Sequence, residues 1–408
     1  MRKIWTKVGV FGTVSIALGS VWWWRQKNAS QYDLKLVQVL FRHGARTPLG
    51  SIPDVLEAQW VPSLLEPPAH THMNYVVTNL DGGQRPSSPL EDSYRKKKLS
   101  GGVFAGQLTT LGMQQLYELG ERFRRKYVQE CPFLTDTFCT DEVYVRSTNI
   151  VRTIESARCL LAGLFQQKQK ETVPIITTDA ESEILYPNYH GCRLLRMLGS
   201  PRLKEVSLLP DLAADLKSIR NDLGIRDKSE VDFILIRDDM VARQAHGLPC
   251  PPALSTWRKR VEQRAVDVMF HCYQPSNREN LQLCVGPLLH MLLLNMEEKL
   301  KGSSSEPNRK LFLYSAHDTT LIPCLMALGI FDMKWPPYAA DITLELHQHR
   351  RTKEPFVKVS YMGKDQRIPG CSGLYCPLRE FQEALSAYSL NNDLHQLLCN
   401  STGDKSKR

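Results

Sequence analysis

The chain has 408 residues, of which 42% are hydrophobic, 23% charged and 8% aromatic, with 24 glycines and 24 prolines. These proportions exclude a disordered, collagen-like or coiled-coil chain, and a single apolar run excludes a polytopic membrane protein. The formal charge of +9 sits mostly at the two ends, on Arg2, Lys3, Lys7, Arg25 and Lys27 and on Lys405, Lys407 and Arg408, which leaves a nearly neutral body and argues against a nucleic-acid partner.

Val8 to Trp24 is uncharged and bracketed by basic residues. A membrane span takes about 20 mostly apolar residues, and this run is diluted by Gly9, Gly12, Thr13, Ser15, Gly19 and Ser20. Residues 1–32 are therefore set apart as a targeting or anchor segment. Their basic, acid-free composition suits a mitochondrial address. A secretory signal, or membrane contact through residues 8–24 with Trp22, Trp23 and Trp24 at the interface, is the alternative.

Leu34 to Phe41 is apolar over eight residues, as a buried central strand should be, and stops at Arg42-His43-Gly44. Residues 49–107 are rich in Pro, Gly, Ser and Asn and lack a period, so a long excursion with short helices at most is expected. Within it, Arg95-Lys96-Lys97-Lys98 reads as a solvated loop. Thr109 caps a helix to about Tyr127, Val143-Tyr144-Val145 is a second strand ending at Arg146-Ser147-Thr148, and Asn149 to Phe165 is helical. From about 181 to 300 the texture turns to charged helices (Leu212–Leu223, Trp257–Tyr273, Asn280–Leu300) broken by Pro-rich turns, which reads as an α-helical insertion. Leu311 to Ser315 is a third strand, stopping at His317-Asp318. Thr319 to Leu328 is helical, and Ile342–Leu346 and Phe356–Tyr361 alternate as outer strands. The body 33–400 is thus one α/β domain, its core at about 33–180 and 309–400 and its helical cap at about 181–300, followed by a basic tail at 401–408.

Eleven cysteines without a Cys-x2-Cys pair, and no His-Glu-x-x-His helix, remove the strong metal patterns. Cys371 and Cys376 either close a short surface loop in an oxidising compartment or stay reduced.

Three strand ends carry ionisable clusters, and open α/β sheets bind ligands at such ends. Arg42, Arg46 and Arg146 are too much positive charge to bury without an anion, and their planar forks match phosphate oxygens. One of His43 and His317 could attack phosphorus while the other donates a hydrogen bond. Asp318 could protonate the departing oxygen if the crevice and the bound dianion raise its pKa. Gly44 would let the backbone approach a ligand closely.

Arg42-His43-Gly44-Ala45-Arg46-Thr47-Pro48, Leu108-Thr109-Thr110-Leu111-Gly112-Met113-Gln114-Gln115, Arg146-Ser147-Thr148 and Ala316-His317-Asp318 resemble, in that order, the signature of the histidine acid phosphatases. The resemblance implies a phosphoglycerate-mutase-like α/β core with a mostly parallel sheet and an inserted α-helical cap. It also implies a metal-free, cofactor-free reaction through a phosphohistidine. Carried over by position, His43 is the nucleophile, Asp318 the proton donor, Arg42, Arg46, Arg146 and His317 the phosphate clamp, and Arg152 an accessory group. Residues 78–83, 146–152, 185–189 and 329–337 further resemble a branch that hydrolyses lysophosphatidic acid, which implies a lysophospholipid monoester as substrate and a mitochondrial address. The alternatives are a phosphatase of inositol phosphates or small phosphomonoesters and, more remotely, an inactive membrane-anchored interaction protein. A monomer is expected. An acyl chain would lie in a channel between the excursion and the insertion, walled by Trp60, Leu64, Leu65, Met73, Tyr75, Val76 and Val77, unless these residues pack the excursion onto the core.

Overall fold

In the computed structural model, residues 31–226, 229–302 and 307–401 are described. Among them nine strands form one sheet: Tyr32–Arg42 (β1), Tyr75–Thr78 (β2), Val143–Ser147 (β3), Val173–Ile176 (β4), Leu311–Ala316 (β5), Asp341–His349 (β6), Pro355–Tyr361 (β7), Lys364–Gln366 (β8) and Cys376–Pro377 (β9). The order is β2-β4-β3-β5-β1-β6-β7-β8, with β9 on β7. Strands from β2 to β1 pair parallel, and those from β1 to β8 antiparallel. The last seven residues of β1 are buried, as its apolar run predicts for a strand covered on both faces.

Side chains alternate across β1 and divide the core. Val37, Val39 and Phe41 face a cluster built with Thr110–Arg124 (α2) and Val151–Phe165 (α3). Leu36 and Leu40 face a larger cluster built with Arg278–Lys301 (α8) and Asp318–Ala327 (α9). That second cluster runs on into the cap helices Arg193–Ser207 (α4), Pro210–Leu223 (α5), Phe233–Ala245 (α6) and Pro252–Tyr273 (α7). A short helix Pro89–Arg95 (α1) lies in the excursion, and Leu378–Leu385 (α10) and Asn392–Asn400 (α11) follow the sheet.

Two placements differ from the sequence expectation. The excursion supplies an edge strand, β2, whose four residues are too few to show a period. And α8, grouped by composition with the insertion, lies on the sheet: Gln38 Nε2 donates to the Leu292 carbonyl (2.8 Å), and Asn295 Nδ2 donates to Gln38 Oε1 (2.7 Å) and the Tyr314 hydroxyl (2.8 Å).

Cys371 and Cys376 form a disulfide, and a second, Cys192–Cys399, ties the start of α4 to α11 across 207 residues. The targeting or anchor segment and the basic tail lie outside the described residues, apart from residues 31, 32 and 401. Among the described residues no helix is long and apolar enough to cross a membrane.

Candidate active site

The registers Arg42↔Ala316 and Ser147↔Ser315 bring the ends of β1, β5 and β3 level. The His43 N–H extends the ladder by donating to the Ala316 carbonyl (3.0 Å). The loop beyond β1 is bolted to the first turn of α2, where the Ala45 carbonyl accepts from both the N–H and the hydroxyl of Thr109 (3.0 Å each). A Cβ on Gly44 would collide with the Gly112 carbonyl, and one on Gly112 with that of Ala45. Gly44 is required by this backbone crossing, not by approach to a ligand as its place beside His43 suggests.

His43 and His317 are both buried. His43 Nδ1 lies 2.9 Å from the Gly44 carbonyl, so this nitrogen carries the hydrogen and Nε2 keeps its lone pair. Burial, followed by the charges of Arg152, Arg42 and Arg46, holds His43 well below the usual histidine range, and therefore neutral in mildly acid solution. His317 is depressed by burial and by Arg152, and its Nε2 lies 3.0 Å from the Thr148 hydroxyl.

Asp318 accepts from Arg42 Nη2 (2.7 Å) and from the Trp335 indole N–H (2.9 Å). Burial alone would raise its carboxyl, but Arg42, Arg46 and the indole outweigh burial and hold it far below the usual carboxylate range. This corrects the expectation that the crevice itself raises it. The Arg42 guanidinium also stacks over the Tyr338 ring, 4.3 Å from its centroid.

Arg46 points its fork at Asp238 of α6, Nη2 to Oδ1 at 2.7 Å and Nη1 to Oδ2 at 3.3 Å. Arg152 lies over the Tyr94 ring, 4.8 Å from its centroid. Around the corner the Nε atoms of Arg42, Arg46 and Arg152, and Nη1 of Arg152, are buried without a partner, as is Nε of Arg146, which does not line the cavity at this corner. The first four, unspent donors from three guanidiniums, suit the oxygens of a phosphate.

Arg146 is elsewhere. Its Nη2 donates to the buried Glu183 (3.2 Å), and it is not among the largest charges acting on either histidine. Glu183 in turn accepts the N–H groups of Ile184 and Leu185 (2.8 Å each), so the pair anchors the segment leading to Tyr186. The third guanidinium of the corner is Arg152, one and a half turns further on. A helix rise separates the two, and the sequence shows only that both are near the strand end.

A cavity of about 250 Å³ opens onto this corner. Its wall beyond His43, Arg46, Arg152, His317, Asp318 and Thr319 is Leu49, Leu90, Tyr94, Ile150, Tyr186, Pro187, Tyr189 and Tyr273, with the Tyr189 and Tyr273 hydroxyls bonded at 2.9 Å. None of the seven residues expected to wall a channel is among them. Trp60 is fully buried with Ala58, Leu99 and Val103, Met73 is buried under α3, and Tyr75 to Val77 form β2. Apart from Val76, which is exposed, these residues pack the excursion onto the body. Sequence reasoning missed Asp238, which lies in a charged helix without distinguishing signal. Trp335, Tyr186 and Tyr189 fall inside the segments 329–337 and 185–189 that already carried a resemblance. The two clusters of potential metal donors among the described residues are centred on the disulfide cysteines, away from this cavity.

Residues 33–215 and 252–362 match the histidine phosphatase superfamily (branch 2). The chain is 46% identical over 411 residues to lysophosphatidic acid phosphatase type 6 of Pongo abelii, covering 98% of this chain and 96% of that one. The Homo sapiens protein of the same name is 45% identical over 415 residues, with the same coverage. Hafnia alvei phytase in complex with tartrate has the same fold at 17% identity, with a TM-score of 0.60 over 88% of this chain and 98% of that chain. The chain belongs to branch 2 of the histidine phosphatase superfamily. Within that branch it is a phosphomonoesterase of the histidine acid phosphatase type.

Proposed function

We propose that the substrate is a lysophospholipid monoester, in the first place lysophosphatidic acid, cleaved to monoacylglycerol and phosphate through a phosphohistidine at His43. The lone pair of His43 Nε2 attacks phosphorus, the bond from phosphorus to the ester oxygen breaks, and Asp318 gives that oxygen a proton. The Asp318 carboxylate then takes a proton from water, whose oxygen displaces His43 and releases phosphate. Arg42, Arg46 and Arg152 hold the phosphate oxygens, and the Trp335 indole fixes the Asp318 carboxyl.

The proton on Asp318 is the demanding part, since Arg42 and Arg46 hold the carboxyl ionised in the empty corner. A dianion arriving between them competes for both guanidiniums and restores proton affinity to Asp318. Substrate binding therefore arms the acid.

The observation that carries the lipid substrate is the wall. Outside the phosphate corner the cavity is lined by aliphatic, proline and tyrosine side chains, and among the described residues the cations that line it are Arg46 and Arg152, both already in the corner. A polyphosphorylated inositol needs cations spread around the ring, whereas an acyl glycerol needs apolar contact. At about 250 Å³ the cavity is small, so it takes the head group and the first methylenes of the chain. Each buried methylene adds about 0.8 kcal/mol, or about fourfold in kcat/KM, until the wall is used up. Steady-state kinetics on monoacyl glycerol phosphates below their micelle concentrations should show that rise and a plateau, with inositol hexakisphosphate a poor substrate. A flat dependence on chain length would remove the lipid.

We also infer residence in an oxidising compartment, the mitochondrial intermembrane space or the secretory pathway. The two disulfides and the basic, apolar N-terminus support it. Protease protection of the tagged full chain in fractionated organelles tests it, and recovery from a reducing space would contradict it.

A further inference from the structure

Most charged groups at the phosphate corner come from strand ends or from α3, and two come from the cap: Arg237, whose guanidinium lies over the Trp335 ring (4.4 Å) and is paired with Glu262 (2.8 Å), and Asp238. Asp238 stands on the cap helix α6, and its carboxylate takes both terminal nitrogens of Arg46 and the Leu49 N–H (2.7 Å). The pair is secluded, with side-chain exposures of 4% for Arg46 and 13% for Asp238. Since Arg46 Nη1 also donates to the Thr47 carbonyl (3.1 Å), the donor left toward the cavity is mainly Nε.

We infer that Asp238 is a positioning residue that acts through Arg46: it limits how tightly the corner holds phosphate, and so lets Asp318 take up the proton that the leaving group needs. The inference rests on the phosphohistidine mechanism above.

Charge balance carries the argument. Arg42, Arg46 and Arg152 supply three positive charges, Asp318 and Asp238 two negative ones, the two histidines are neutral, and Arg237 is balanced by its own partner Glu262. The empty corner is therefore singly positive. A phosphate dianion makes it singly negative, and one proton on Asp318 returns it to neutrality. Without Asp238 the empty corner would be doubly positive, the dianion alone would neutralise it, and Asp318 would have no reason to bind a proton. Phosphate, both substrate and product, would be held harder and turned over more slowly. The two carboxylates are coupled because each faces Arg46. Asp238 otherwise faces the Tyr94 and Tyr338 phenols, and its neighbour Asp239 is already paired with Arg243 (2.7 Å). Asp318 otherwise faces Arg42, His317 and Trp335.

The contrary possibility is that Asp238 is only a strut docking α6 onto residues 46–49. Asp238→Asn in the full chain separates the two, because the amide keeps an oxygen for the Leu49 N–H while losing the charge. Inhibition by inorganic phosphate should tighten about tenfold, the scale of one nearby charge. The kcat for an alkyl phosphate should fall about tenfold more than that for an aryl phosphate with a good leaving group, and the alkaline limb of the alkyl kcat profile should move to lower pH. A strut predicts weaker or unchanged phosphate inhibition and equal losses on both substrates, and that result would overturn the inference. If the amide variant is poorly folded, Asp238→Ala decides by melting temperature: added phosphate should raise it more than in the parent protein, and an equal or smaller rise counts against. Labelling of His43 by substrate is followed in parallel, so that a failure of the phosphohistidine itself is recognised separately.

Discussion

The two sides of the cavity are built differently. The phosphate corner rests on the ends of β1 and β5, adjacent strands at the centre of the sheet, and its groups are fixed by ladder hydrogen bonds, by the α2 crossing at Gly44 and by charge pairs. The opposite wall comes from α1, from the 185–189 segment and from the end of α7, and meets the substrate with aliphatic and tyrosine surface. Rigid, charged geometry suits a reaction that stabilises developing charge, whereas a wall of loops and cap helices suits recognition of the rest of the molecule. The difference teaches that chemistry and selectivity are separable here, and each can be damaged without the other.

The largest effect should come from the acid in the corner. Asp318→Asn is expected to lower kcat on alkyl phosphates by about a thousandfold, within the usual range for a general acid, and to spare an aryl phosphate whose leaving group needs no proton. Equal losses on both would mean that Asp318 only organises the start of α9. Next comes the choice between two arginines. Arg152→Ala should cost about a hundredfold in kcat/KM with every substrate, as loss of a charge-stabilising donor does. Arg146→Met should leave phosphate inhibition nearly unchanged, weaken KM for long-chain substrates through the loosened 184–189 segment, and lower the melting temperature because Glu183 is left buried and unpaired. If the two variants behave alike, the corner extends further than described. On the wall, Leu90→Glu should reduce kcat/KM for a long-chain monoacyl glycerol phosphate about tenfold more than for an aryl phosphate, which chain-length kinetics would read directly.

The smallest effect is on stability. His43 and His317 are held below the value of about 6.5 they have when unfolded, so below that pH the unfolded chain binds more protons than the folded one. Their contribution is whole above pH of about 6.5 and is lost as pH falls toward the folded values. The melting temperature should decline over that window, and phosphate should offset the decline by binding the folded state. A melting temperature that rises as pH falls below 6.5 would contradict neutral histidines.

The corner was largely legible because a strand running straight into a short polar cluster is a local pattern, and three such clusters fall on neighbouring strands. Arg42, His43, Arg46, His317 and Asp318 were found that way. Choosing between Arg146 and Arg152 needs to know that Glu183, 37 residues later, folds back onto the first of them. The wall was legible as a location, between excursion and cap, but not as residues. Trp60 and Met73 are large and apolar, which says equally that they line a cavity or fill a core, and packing decided for the core. Cys192–Cys399 and the Asp238–Arg46 pair join residues 207 and 192 positions apart, and nothing local marks either partner.

The central claim, that the corner carries the chemistry through His43, is tested most directly by rapid quenching during turnover with a ³²P-labelled phosphomonoester. The account predicts an acid-labile, base-stable label on the peptide containing His43, absent in His43→Ala and formed in Asp318→Asn with an aryl phosphate. A label on another residue, or full turnover by His43→Ala, would contradict it.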